Sequence, residues 1–171
     1  MTNQVKNLFV IDGMALIYRA HFAMIKNPLT TKNGQHTSAI YGLANSIFKL
    51  IKDENPDYLV VAMDCREPTF RHKMYDLYKA NRESMPDELV SQLDYIDIMI
   101  DAMNIPILKK PGFEADDIMG TIAFSASEKD INTYLVSGDK DLMQLVTDSV
   151  FLYSPGNRFK PTTVYGKNEV K

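Results

Sequence analysis

The segment Asn7–Gly13 reads NLFVIDG, four apolar residues in a row followed by an acid and a glycine. So short an apolar run, closed by a turn signal, reads as a strand buried on both faces, the kind found in parallel sheets. The pattern returns further along the chain. Tyr58–Asp64 (YLVVAMD) is a second such strand, again ending in an acid. Ile105–Leu108 is a short third, Asn132–Ser137 (NTYLVS) a fourth closed by Gly138 and Asp139, and Val150–Tyr153 a fifth.

Helical patterns fill the intervals. Met14–Ala23 is apolar and aromatic, a loop or short helix. Ser38 is placed to cap a helix reaching about Asn55, with Ile40, Leu43, Ile47, Leu50 and Ile51 at helical spacing. Pro86, Asp87 and Glu88 open a long helix whose stripe is Leu89, Leu93, Ile96, Ile100 and Met103. Asp94, Asp97 and Asp101 lie opposite that stripe as a solvated face. Phe113–Asp117 opens another helix running to about Lys129, and Lys140–Val146 forms a short one. Strands alternating with helices predict a three-layer, Rossmann-like α/β domain with a mainly parallel five-stranded sheet.

Composition narrows the class of protein. A chain of 171 residues, 45% hydrophobic and 24% charged, is one ordinary globular domain. There is no apolar run long enough for a membrane span and no secretory signal, and the single Cys65 excludes an internal disulfide, all of which fits a cytoplasmic setting. His21, His36 and His72 are isolated, which argues against a zinc site.

The acids carry the chemistry. Ligands of an open parallel sheet bind beyond the carboxyl ends of its strands. Asp12 ends the first strand and Asp64 the second; Glu114, Asp116 and Asp117 follow the third; Asp139 and Asp141 follow the fourth. One Asp at a strand end is commonly a helix cap. Four segments delivering acids to one edge point to a site. Two carboxylates about 4 Å apart repel by roughly 4 kcal/mol at an effective dielectric of 20, so such a cluster calls for cations. An all-oxygen set suits Mg²⁺ or Mn²⁺, and two ions would support in-line phosphoryl displacement. The net charge of −3 hides this division: without the seven acids, 15 remain against 19 Lys and Arg, a mildly basic remainder.

After Asp64 the chain turns polar, basic and aromatic to Met85. Arg71, Tyr75, Tyr78 and Arg82 are spaced to share one face if helical, with Lys79 beside Tyr78. Cations there would hold phosphates, and tyrosines would stack on unpaired bases. The insertion would overhang the acids.

LFVIDGMALIYRA, YLVVAMD, TFRHKMYDLYKANR, GFEADDIMGTIA and VSGDKDLMQLV occur in that order. Together they closely resemble the N-terminal 5′→3′ exonuclease domain of bacterial DNA polymerases, within the flap endonuclease family and its PIN-like fold. The resemblance covers about Asn7 to Val170. It implies that Asp12, Asp64, Glu114, Asp116, Asp117, Asp139 and Asp141 bind metal. It implies that Tyr78, Lys79 and Arg82 belong to a helical arch, spanning about residues 65–86, that admits the 5′ strand, with Lys79 and Arg82 acting on the scissile phosphate. Arg19 and Arg71 match positions near substrate phosphates. The implied reaction is Mg²⁺-dependent hydrolysis of DNA at 5′ ends or flaps. In this family a final aspartate pair and a helix–hairpin–helix follow the point where this sequence ends. The expectation is therefore a fragment with an incomplete second ion site and weak activity alone, from a polymerase or a standalone exonuclease. An incomplete nucleic-acid-binding fragment is the alternative. A toprim-like domain would also place Asp139 and Asp141 after a strand, but it leaves Asp64 and the basic insertion unexplained.

Overall fold

The computed structural model describes residues 5–65, 67–75, 77–81, 83–157 and 159–170. A six-stranded sheet runs β3-β2-β1-β4-β5-β6. Its strands are β1 (Lys6–Asp12), β2 (Tyr58–Ala62), β3 (Ile107–Leu108), β4 (Ile131–Val136), β5 (Val150–Ser154) and β6 (Thr163–Tyr165). The first five are parallel and β6 is antiparallel to β5. The predicted parallel α/β architecture is therefore present with one strand more than expected. Sheet order reverses between β1 and β4, which places the crevice typical of such folds beside the end of β1.

Strands β1, β2, β4 and β5 alternate between two cores. Phe9 and Ile11 of β1 pack with Leu16, Ile17, Leu43, Ile47, Ile96 and Ile100, beneath helices α1 (Gly13–Ala23), α2 (Ser38–Glu54) and α5 (Leu93–Ala102). Leu8 and Val10 face the other way, onto Met119, Ala123 and Ala126 of α6 (Ala115–Ser127). Both faces of β1 are covered, which is why its sequence is continuously apolar rather than alternating. No described helix is long and apolar enough to cross a membrane.

Two helical expectations change. The segment Met14–Ala23 is a full helix, begun at Gly13. A Cβ on Gly13 would lie 2.1 Å from the Met63 sulfur and 2.9 Å from Val61 Cγ1, so only glycine lets α1 start this close to β2. The long helix expected from Pro86 is instead a short α4 (Asp87–Val90) followed by α5, and Pro86 is its cap residue rather than its first turn.

Gln92, between those two helices, explains the break. It is fully buried, and its Oε1 accepts from the Ala39 N–H at 2.9 Å and the Ile40 N–H at 3.4 Å. Its Nε2 donates to the Glu88 carbonyl at 2.7 Å. Ser38 does not cap α2: it is the first helical residue, and its Oγ accepts from the Leu29 N–H. Thr37, at the cap position, makes no side-chain cap bond. Two of the orphan donors of α2 are thus satisfied from another element. Gln92→Ala should therefore cost about 2 kcal/mol, a lost cap plus buried amide groups left unpaired, read as a lower midpoint in urea with an unchanged slope.

Candidate metal and phosphate site

The acid-bearing segments meet at the switch point because of pleat parity. Asp12, Asp64 and Ser137 fall on the same alternation as Val10, Ala62 and Leu135, toward α6. Asp12, Asp64, Glu114, Asp116 and Asp139 line one recess of about 200 Å³, together with Met14, Ala15, Tyr18, Lys79 and Ala115.

Three of these acids are fixed by backbone amides at a helix start. Asp12 is buried and caps α1, accepting from the Ala15 N–H at 3.0 Å through Oδ1 and from the Ser137 hydroxyl at 2.8 Å through Oδ2. Asp64 Oδ1 accepts from the Ala115 N–H at 2.8 Å, at the start of α6. Asp139 caps the 3₁₀ helix Lys140–Leu145, accepting from the Asp141 N–H at 2.9 Å. Glu114 is the cap residue of α6, and its N–H donates to Asp117 Oδ2 at 3.0 Å.

Two expected acids stand apart from the recess. Asp117 faces Arg71, which donates to both its oxygens at 2.7 Å. Asp141 is exposed and does not line the recess. Both lie one or two residues beyond an acid that does line it, and the helical turn there rotates them away.

The basic segment is not one helix. Among its described residues only α3 (Phe70–Met74) is helical; Tyr75 is extended and Lys79 sits at φ 55. Lys79 Nζ donates to Glu114 Oε1 at 2.8 Å, and the Tyr78 hydroxyl to Oε2 at 2.9 Å. Arg71 also approaches Glu114 at 3.4 Å. Arg71, Tyr78 and Lys79 thus lie on the acids. The segment's lower end is tied by the Phe70 N–H to the Gly112 carbonyl. The His72 ring packs edge-on against Tyr78 with centroids 5.2 Å apart, a support that spacing did not reveal. Tyr75 is exposed and outside the recess. Arg82 lies outside the described residues. Arg19 points elsewhere, donating to the carbonyls of Pro155 and Gly156 in the β5–β6 connection.

The charges are only partly balanced. Burial pushes Glu114 up, but Lys79, Tyr78 and Arg71 outweigh it and hold the carboxyl below its ordinary range. Arg71 does the same for Asp117. Asp12 is raised by burial against the bonds from Ala15 and Ser137. Asp116 is pushed up to about 6 by desolvation and by the charges of Asp12, Asp139, Asp64 and Glu114. Among the described residues, no three acidic, His or Cys side chains are gathered tightly enough to hold one ion as they stand. The donor chemistry nevertheless fits a hard divalent cation: carboxylate oxygens alone, with uncompensated negative charge centred on Asp116.

Residues 7–171 match the family of 5′-3′ exonuclease N-terminal resolvase-like domains. The chain is 41% identical to a 5′-3′ exonuclease of Aquifex aeolicus, over 90% of this chain and 52% of that protein. It is 42% identical to DNA polymerase I of Bacillus subtilis, over 84% of this chain and 16% of that one. The chain thus spans about half the length of the first relative and far less of the second. In structure it resembles a T5 flap endonuclease variant crystallised with DNA and metal ions, with a TM-score of 0.69, 22% identity, and coverage of 94% of this chain and 58% of that one.

The raised pKa of Asp116 has a definite sign. Its folded value of about 6 exceeds the ordinary 3.8, so the native state binds the proton more tightly than the unfolded chain between those limits. The group destabilises the fold above about pH 6, and the penalty fades as pH falls toward 4. Asp116→Asn should raise stability by about 1 kcal/mol near neutral pH, after discounting for solvent screening. That is about 2–4 °C in melting temperature. Thermal melts in EDTA should show the gap near pH 7.5 and its closure near pH 4.

Proposed function

The chain belongs to the 5′-3′ exonuclease family as its N-terminal resolvase-like domain, and from that premise we propose that it hydrolyses DNA phosphodiester bonds at 5′ ends and 5′ flaps with Mg²⁺ or Mn²⁺. The observation that carries this reading is the recess at the sheet switch point, where carboxylates from four segments face Lys79. Asp12, Asp64, Glu114, Asp116 and Asp139 would hold the ions, with Asp117 and Asp141 flanking them. Ions bound there would offset phosphate charge and make water a better nucleophile.

The chain's own residues supply the rest. Backbone amides at three helix starts fix Asp12, Asp64 and Asp139, so these carboxylates cannot swing out to solvent. Lys79 and Arg71 are charged donors that now face Glu114 and Asp117. A phosphate entering between them would accept the same N–H groups, and Arg71 offers a two-pronged match to phosphate as it does to Asp117. The Tyr78 ring, half-buried over Glu114, stands where a base beside the scissile bond would stack. Arg82 is assigned to the phosphate with Lys79 on sequence resemblance, and exposed Tyr75 to stacking further out. Arg19 then acts indirectly, by holding the β5–β6 connection. The partner is DNA and the setting cytoplasmic, which suits the free thiol of Cys65. The relatives include a free-standing exonuclease and a polymerase, and the reading holds for either parent.

The test is cleavage of a labelled 5′-flap duplex in millimolar Mg²⁺, set against EDTA. Lys79→Ala should lower the single-turnover rate by about 10²–10³. Asp64→Ala should reduce it at least as far, while leaving the fold intact by circular dichroism. Cleavage by the Asp64→Ala protein at the wild-type rate would overturn the assignment.

A further inference from the structure

Ser137 links two of the acid positions across the switch point. It follows β4, whose Val136 pairs with Ile11 in parallel register, so Ser137 stands level with Asp12 on the neighbouring strand. Its side chain shares the α6 face with Leu135 and is completely buried. Its own N–H donates to the Tyr153 carbonyl, which pins the backbone to β5.

The direction of the hydroxyl proton is settled by its two neighbours. The Asp139 N–H donates to Ser137 Oγ at 3.0 Å, so there the oxygen is the acceptor. Serine has one hydroxyl proton, and the other polar contact of Oγ is Asp12 Oδ2 at 2.8 Å, an acceptor. The chain of donation therefore runs from the Asp139 amide through Ser137 to Asp12. Asp12 Oδ1 is already held by the Ala15 N–H. One bond on each oxygen fixes the plane of the carboxylate and leaves each oxygen a lone pair for the recess. The same hydroxyl holds the backbone on which the Asp139 carboxylate is carried.

We infer that Ser137 is a positioning residue for the cation site, whose single hydroxyl sets Asp12 and Asp139 in register with each other. The inference rests on the metal-dependent reading above. Groups that orient ligands from behind typically account for 10–100-fold in metal affinity. Ser137 satisfies that description for two carboxylates from two strands. A residue that only ended the strand would need its backbone bond to Tyr153 and nothing from its side chain.

Calorimetric titration of the full chain with Mn²⁺ alone tests this on wild type, Ser137→Ala and Ser137→Thr, with melting in EDTA recorded for each. The expected result is a saturable Mn²⁺ isotherm for wild type. Ser137→Ala should bind about 10–100-fold more weakly, and Ser137→Thr, which keeps the hydroxyl, should return to within about threefold of wild type. Melting in EDTA should show all three folded. Wild-type Mn²⁺ affinity in Ser137→Ala, with only a lower melting temperature, would make the serine a strand-end residue and overturn the inference. Absence of saturable binding in wild type itself would instead overturn the metal-dependent reading, a result distinct from the first.

Discussion

Mutual repulsion among carboxylates is the constraint this structure is arranged around. Five of them face one recess, and an uncompensated group of that kind would work against folding. The fold answers by placing helix starts at the same edge. Asp12, Asp64 and Asp139 each accept a backbone N–H from a first helical turn, where the partial positive charge of the helix favours an anion. For Asp12 and Asp139 the helix cap and the site residue are therefore the same residue. The capping that makes an isolated Asp unremarkable in a sequence is the means by which this site is held together.

The second answer is the basic segment. Lys79, Tyr78 and Arg71 lie down on Glu114 and Asp117 and satisfy these two acids. Among the described residues Asp116 receives no such partner, and its carboxyl is the one driven furthest from its ordinary range. The residues that neutralise the site are those assigned to grip phosphate. Entry of a polyanion with its cations would then be an exchange of partners more than a filling of empty space.

How much of this was legible in the sequence follows from which interactions are local. The buried strands were plain because a two-faced core leaves no polar position in Leu8–Ile11. The edge carrying the acids followed from strand polarity. What escaped depends on partners far along the chain. Three-residue β6 carries no pattern of its own and exists only by pairing with β5. Gln92 reads as a polar interruption in an apolar stripe, and its use is set by the start of α2, 53 residues earlier. Ser137 looks like a turn residue until Asp12 is placed beside it. The spacing of Arg71, Tyr75 and Tyr78 suggested one helix face. The contacts with Glu114 and Asp117 outweigh helix propensity there, and the backbone bends at Tyr75 and Lys79 to make them. Arg19 was placed by resemblance near phosphate, and its carbonyl partners in the β5–β6 connection are invisible to any local pattern.

The position of β1 at the centre of the sheet has a consequence during synthesis. Its neighbours are β2, about 50 residues later, and β4, which begins at Ile131. At typical elongation speeds the ribosome needs on the order of 10 s to produce that interval. Through that time the central strand has one edge without a hydrogen-bonding partner, although the helices that cover its two faces are all produced before β4. Such a segment invites pairing with other nascent chains. Delivery of β4 gives the strand that carries Asp12 its second neighbour and ends that exposure, before β5 and β6 extend the sheet from β4.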